Sequence, residues 1–127
     1  MQKQQVFLML LLLCPLLAVQ GCVVAAIGAG AGTVAYVRGD LEVVESENLN
    51  SVYKAAEKAI EEFELAVSKK TKDAMSAEII ARDSQDKKIK IKLSATAEGT
   101  TKLSIRVGLF GSETKSRLIY QQIKKNL

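Results

Sequence analysis

Three groups of side chains in this sequence have the types and spacing to carry chemistry. Asp40 and Glu42 lie two residues apart in an alternating segment, which turns both carboxylates to one side of a strand and makes an acid/base pair conceivable. Ser112 and Ser116 lie near Lys115, yet no base partner for either hydroxyl can be identified, and Ser112 is well placed to cap a helix. Lys88, Lys90, Lys92, Lys102 and Arg106 recur at alternate positions of predicted strands, with Ser94, Thr96 and Ser104 among them, and would form a basic, anion-binding face. The plainer account of those cations is a sheet covered on one side only, which must offer charge to water and whose lysines discourage edge-to-edge association. The chain has no histidine. That removes the commonest general base and metal ligand, together with every Ser-His or Cys-His arrangement. No cofactor and no metal site is expected.

The N-terminus opens with Lys3, runs apolar from Val6 to Val19, and then places the small Gly21 directly before Cys22. This is the order of a secretory signal peptide. The apolar run falls short of the ~20 residues that a spanning helix needs. The sequence Val19-Gln20-Gly21-Cys22 resembles the lipobox of bacterial lipoproteins. The resemblance implies cleavage between Gly21 and Cys22 and lipid chains on the new N-terminal Cys22. Cys14 follows Leu13, too large for such a cleavage site, and reads as apolar filler. With Cys22 acylated, the mature chain has no thiol for a disulfide, a nucleophile or a zinc site. Its domain must hold together by its core alone, which ~100 residues can do.

The segment after Cys22 is rich in glycine and alanine. Gly28 and Gly30 begin a G-x-G-x-x-G pattern, but Thr33 stands where its third glycine belongs and no strand precedes it. Gly28 and Gly32 also have the spacing of a small-residue helix-packing motif. A flexible Gly/Ala tether is the simpler reading. The expected organisation is therefore a signal peptide over 1–21, a lipidated tether over 22–33 and one domain over 34–127.

Within that domain, Val37, Gly39, Leu41 and Val43 alternate with Tyr36, Arg38, Asp40 and Glu42, which predicts a first strand. Ser46 or Asn48 can cap a helix whose apolar side is Leu49, Val52, Ala56, Ala59, Ile60, Phe63 and Val67, with Glu57, Glu61 and Glu64 on its solvated side. Three further strands carry Met75, Ala77, Ile79 and Ala81; then Ile89, Ile91, Leu93, Ala95 and Ala97; then Leu103, Ile105, Val107 and Leu109 as their inward residues. Turns at 83–87 and 98–100 would place Glu78 beside Lys92, and Lys92 beside Arg106. A last helix, capped by Ser112, buries Leu118, Ile119, Ile123 and Leu127. The expected fold is an α+β two-layer sandwich of β-α-β-β-β-α order, a largely antiparallel four-stranded sheet with two helices packed on one face.

The Gly-Cys signal, the Gly/Ala-rich run into Tyr36-Val37-Arg38-Gly39, the Val52-Tyr53-Lys54-Ala55 helix, and Ile105-Arg106-Val107-Gly108 followed by Phe110-Gly111 and Ser116 together resemble a family of small bacterial lipoproteins. Their shared domain has no known function. The resemblance covers essentially the whole mature chain and implies a lipoprotein location with no established activity. In a cell with two membranes, Val23 rather than Asp after the cysteine would direct the protein to the periplasmic face of the outer membrane. The function expected is that of a membrane-anchored, non-enzymatic envelope module, held to the membrane by the lipid on Cys22 and binding an envelope protein or an anionic envelope component. The alternative is a small carboxylate-dependent enzyme acting on an envelope polymer. Nucleic acid is not an expected partner, because the location is wrong and Tyr36 is the only aromatic on the predicted polar face.

Overall fold

The alternation that starts at Val34 is broken by Arg38-Gly39, and in the structure, a computed structural model, these two residues turn the chain back on itself. The structure describes residues 2–5 and 34–127. The chain divides into two compact units, Met1–Gly30 and Ala31–Leu127. Residues 2–5 are helical. The expected cleavage site at Gly21 and Cys22 and the tether glycines Gly28, Gly30 and Gly32 lie outside the described residues.

In the second unit, β1 (Val34–Val37) and β2 (Asp40–Glu45) form a hairpin. Arg38 and Gly39 both take left-handed backbone angles, φ 52° and 89°. A two-residue turn of that kind matches the twist of the strands it joins. Next come α1 (Leu49–Glu62), β3 (Ala66–Lys72), β4 (Ser76–Arg82), β5 (Lys88–Ala95), β6 (Thr101–Val107) and α2 (Glu113–Lys125). The six strands form one antiparallel sheet in the order β1-β2-β6-β5-β4-β3. This overturns the expected four-stranded sheet and its β-α-β-β-β-α order. The predicted first strand is two strands, and the segment read as the end of the first helix turns back as β3.

The physical reasons are local. Asn48 caps α1 by accepting from the Ser51 amide at 3.0 Å, and Leu49, Val52, Ala55, Ala56, Ala59 and Ile60 bury one side of the helix. The helix stops at Glu62 because Glu64 adopts φ 53°, which reverses the chain into β3. Phe63 and Val67 are therefore half-exposed rather than buried on a helix. Every residue of β3 is exposed, so this Lys-rich edge strand has no hydrophobic period to reveal it.

The helices pack on one face of the sheet. Leu41, Ile105, Ile91 and Ile79 stand side by side across β2, β6, β5 and β4 on that face, all fully buried. Each such side chain contributes ~1.5–3 kcal/mol of burial. Ile119 and Ile123 of α2 close the core. Further expected core residues are not there: Met75, Ala97, Leu109, Leu118 and Leu127 are exposed. The hairpin also moves Tyr36, which pairs with Leu41 and packs against the core instead of facing water.

One register differs from expectation. Glu78 does face Lys92, but Lys92 faces Ser104, and Arg106 faces Lys90. The β5–β6 connection closes early, at Ala95 and Thr101, where the Thr96 amide donates to the Thr100 carbonyl at 2.9 Å.

Candidate functional site

The face of the sheet turned away from the helices carries the predicted cations. On one rung Glu42, Ser104, Lys92 and Glu78 lie side by side; on the next, Val44, Lys102, Ser94 and Ser76. Period 2 in β5 and β6 produces this pattern, since Ile91, Leu93, Leu103 and Ile105 point to the helices and their neighbours must point out. Asp40, Glu42, Lys90, Lys92, Ser94, Lys102, Ser104 and Arg106 line an open cleft of about 470 Å³.

Charge within the cleft is unevenly balanced. The Arg106 guanidinium donates to both Asp40 oxygens, at 2.7 and 3.2 Å. Lys102 pairs with Glu42 at 3.4 Å and Lys69 with Glu78 at 3.2 Å. Among the described residues, Lys90 and Lys92 have no carboxylate at ion-pair distance. Acids sit on the flanks of the face and unpaired ammonium groups at its centre. The Arg106 hydrogen bond holds the Asp40 carboxyl below the usual carboxylate range against partial desolvation, with Lys92 and Lys90 adding to the pull. Glu78 is lowered chiefly by its bond from Lys69, again with help from Lys90 and Lys92.

Four of the five predicted cations thus share the cleft: Lys90, Lys92, Lys102 and Arg106. Lys88 lies outside it and borders a second depression of about 340 Å³ with Lys90, Arg106, Gly108 and Leu109. Arg106 is a clamp more than a free ligand. Besides Asp40 it donates to the Arg38 carbonyl at 2.6 Å and to the Leu109 carbonyl at 3.1 Å, tying the β1–β2 turn to the loop after β6. Several segments that carry the family resemblance, around Arg38-Gly39, Arg106 and Phe110-Gly111, therefore meet at one end of the sheet.

Asp40 and Glu42 are both committed to cations. A carboxyl that Arg106 keeps ionised has no proton to give near neutral pH, so Asp40 is unsuited to the acid half of an acid/base pair. Ser112 caps α2, accepting from the Lys115 amide at 3.5 Å, while the Lys115 ammonium reaches Asp83 at 3.1 Å. Ser116 is buried, and its hydroxyl has no hydrogen-bond partner among the described residues. These three groups do not converge on a common point. Among the described residues no three carboxylates or thiols cluster as a metal site.

Sequence reasoning missed Glu45, which is fully buried on the inner face. Tyr120 donates to one of its oxygens at 2.5 Å and Lys124 to the other at 2.9 Å. The signal was present: Glu45 continues the inward series Leu41, Val43, and Tyr120 and Lys124 are four apart on α2. This trio fastens α2 to the sheet.

A family model described as "Protein of unknown function (DUF3568)" matches residues 5–126, and the chain belongs to that family. No curated protein matches the chain.

Proposed function

We propose that this member of a family without an assigned activity is a non-enzymatic module of the bacterial cell envelope, exported and lipid-anchored through Cys22, which holds an anionic envelope component on the open face of its sheet. In a two-membrane cell it would stand on the periplasmic face of the outer membrane. The observation that carries the binding role is the pair Lys90 and Lys92, central on an open face and without a carboxylate partner among the described residues. Ser94 and Ser104 beside them supply hydroxyl donors for a phosphate, sulfate or carboxylate group. Asp40 and Glu42 are each paired with a cation, Arg106 and Lys102, which favours binding over a carboxylate enzyme.

Inorganic polyphosphate and dextran sulfate serve as probes. The protein should bind both, with affinity falling steeply as salt rises, because exposed charges are screened within ~8 Å at physiological ionic strength. Replacing both lysines (Lys90→Gln, Lys92→Gln) should weaken binding roughly tenfold or more, each lost ammonium–anion contact being worth ~1 kcal/mol. Equal binding by both proteins at low salt would reject the face as a site. The anchor has its own check: Cys22→Ser should abolish labelling by a fatty-acid probe, and labelling that persists would reject it.

A further inference from the structure

Leu109 and Phe110 are 81% and 89% exposed, more than any other large apolar residue described. They occupy the loop between β6 and α2, at the end of the sheet where the β1–β2 turn also lies. Val37, half-exposed, stands beside that turn. Such a pair on a loose loop would fold back on the nearest apolar surface. Here the backbone holds it out. Arg106 grips the Leu109 carbonyl, and the loop packs so tightly on the β1–β2 turn that a Cβ on Gly39 would lie 2.7 Å from the Phe110 carbonyl oxygen. The apolar tip is presented ready-made, so no loop must be ordered when it meets a partner.

The same end carries unpaired positive charge. Register places Arg82 opposite Lys88, Ile89 opposite Val107 and Val37 opposite Asp40, so the 83–87 turn, the 108–111 loop and the β1–β2 turn are neighbours. The acids here are taken: Asp40 by Arg106, Asp83 by Lys115 and Asp86 by Arg82. Arg38, Lys87 and Lys88 are exposed and have no carboxylate partner among the described residues.

We infer that this end of the domain docks on an anionic lipid bilayer, with Leu109 and Phe110 entering the headgroup boundary and Arg38, Lys87 and Lys88 against the lipid phosphates. An apolar tip ringed by cations is the pattern that binds such an interface, where apolar burial and attraction to anionic headgroups add. A protein partner fits less well, since two loop residues and Val37 fall far short of the ~800 Å² a stable interface needs from each side. The inference goes beyond the open-face reading and stands without it: Leu109 and Phe110 do not line the larger cleft.

The chain contains no tryptophan, so Phe110→Trp introduces a single tryptophan, selectively excited apart from the three tyrosines, at an exposed position. Met75→Trp, 60% exposed at the opposite end of the sheet, is the control. The full chain is reconstituted in phosphatidylcholine vesicles with brominated acyl chains, with and without phosphatidylglycerol. With phosphatidylglycerol present, the Phe110→Trp emission should shift to the blue and be quenched roughly twofold or more, as expected for a ring at the acyl boundary. The Met75→Trp emission should stay water-like. Adding Arg38→Gln, Lys87→Gln and Lys88→Gln to Phe110→Trp should remove most of the quenching. Emission from position 110 that matches position 75 would overturn the proposal. So would equal quenching in pure phosphatidylcholine. A blue shift without bromine quenching would overturn it too, by assigning the tip to a protein contact.

Discussion

Gly39 and Gly111 meet backbone to backbone: a Cβ on Gly111 would lie 2.6 Å from the Gly39 Cα and 2.7 Å from the Tyr36 hydroxyl. Both residues also hold left-handed backbone angles, φ 89° and 82°. Gly111→Ala therefore meets two obstacles, the ~1–2 kcal/mol cost of a side chain in that region and a clash with main chain that cannot swing aside. Gly99 has φ 76° but open space around it. Gly111→Ala should lower stability by about 3 kcal/mol and Gly99→Ala by about 1 kcal/mol, read as shifts in urea midpoint at unchanged slope. Equal losses would show that backbone angle alone decides both sites.

The Glu45 trio sets an alkaline limit on stability. Burial first, then the Glu45 hydrogen bond, pushes the Tyr120 hydroxyl well above its ordinary 10.0. The same carboxylate raises the half-exposed Lys124 ammonium above 10.5. Both groups hold their protons more tightly folded than unfolded. Their contribution is thus complete below about pH 10 and is lost as pH rises through the folded values. Unfolding free energy should fall above pH 10, and Tyr120→Phe should flatten that fall while costing ~1–2 kcal/mol at neutral pH. A variant with the same alkaline slope as the natural chain would remove Tyr120 from this role.

Legibility in the sequence followed burial. Ile79, Ile91, Leu103 and Ile105 sit where period 2 put them, because a strand covered on one face only must alternate. Asn48 and Ser112 cap the helices that their positions suggested. Strand β3 was illegible because none of its residues is buried, and the Val67 that ended the predicted helix series belongs to it. The β1–β2 hairpin was hidden by parity: alternation runs on through Arg38-Gly39, yet the turn puts Val37 and Leu41 on opposite faces. Arg-Gly is also a weaker hairpin signal than Asn-Gly or Asp-Gly. The cations of the cleft were found from alternation alone. Their pairing was not, because register depends on closure at Ala95 and Thr101, and the partners Asp40 and Glu42 come from a strand distant in sequence.

The centre of the sheet tolerates no charge. Ile91 is fully buried, with Ile79 on one side and Ile105 on the other. Ile91→Asp would place an unpaired carboxylate there, at a cost of several kcal/mol against the ~5–15 kcal/mol by which a domain is stable. A fragment of residues 34–127 should unfold cooperatively without metal or oxidant, and its Ile91→Asp variant should show no cooperative transition in circular dichroism. A variant that unfolds like its parent would mean that the two faces of β5 are reversed.

Arg106 supplies the last test, because its work depends on shape as well as charge. Its guanidinium makes four hydrogen bonds, two to Asp40 and one each to the Arg38 and Leu109 carbonyls. An ammonium group lacks the planar fork and cannot reach all of them. Arg106→Lys keeps the charge and should still lower stability, by less than breaking a fully buried network would, since Arg106 and Asp40 are each about one-third exposed. The loss should be local in its first effect. Amide hydrogen exchange should speed up at Arg38–Gly39 and across 108–111, the segments the guanidinium joins, while β5 amides keep their protection until global unfolding. Uniform acceleration through β5 and β6 would mean that Arg106 supports the sheet as a whole and does not act as a clamp on its end.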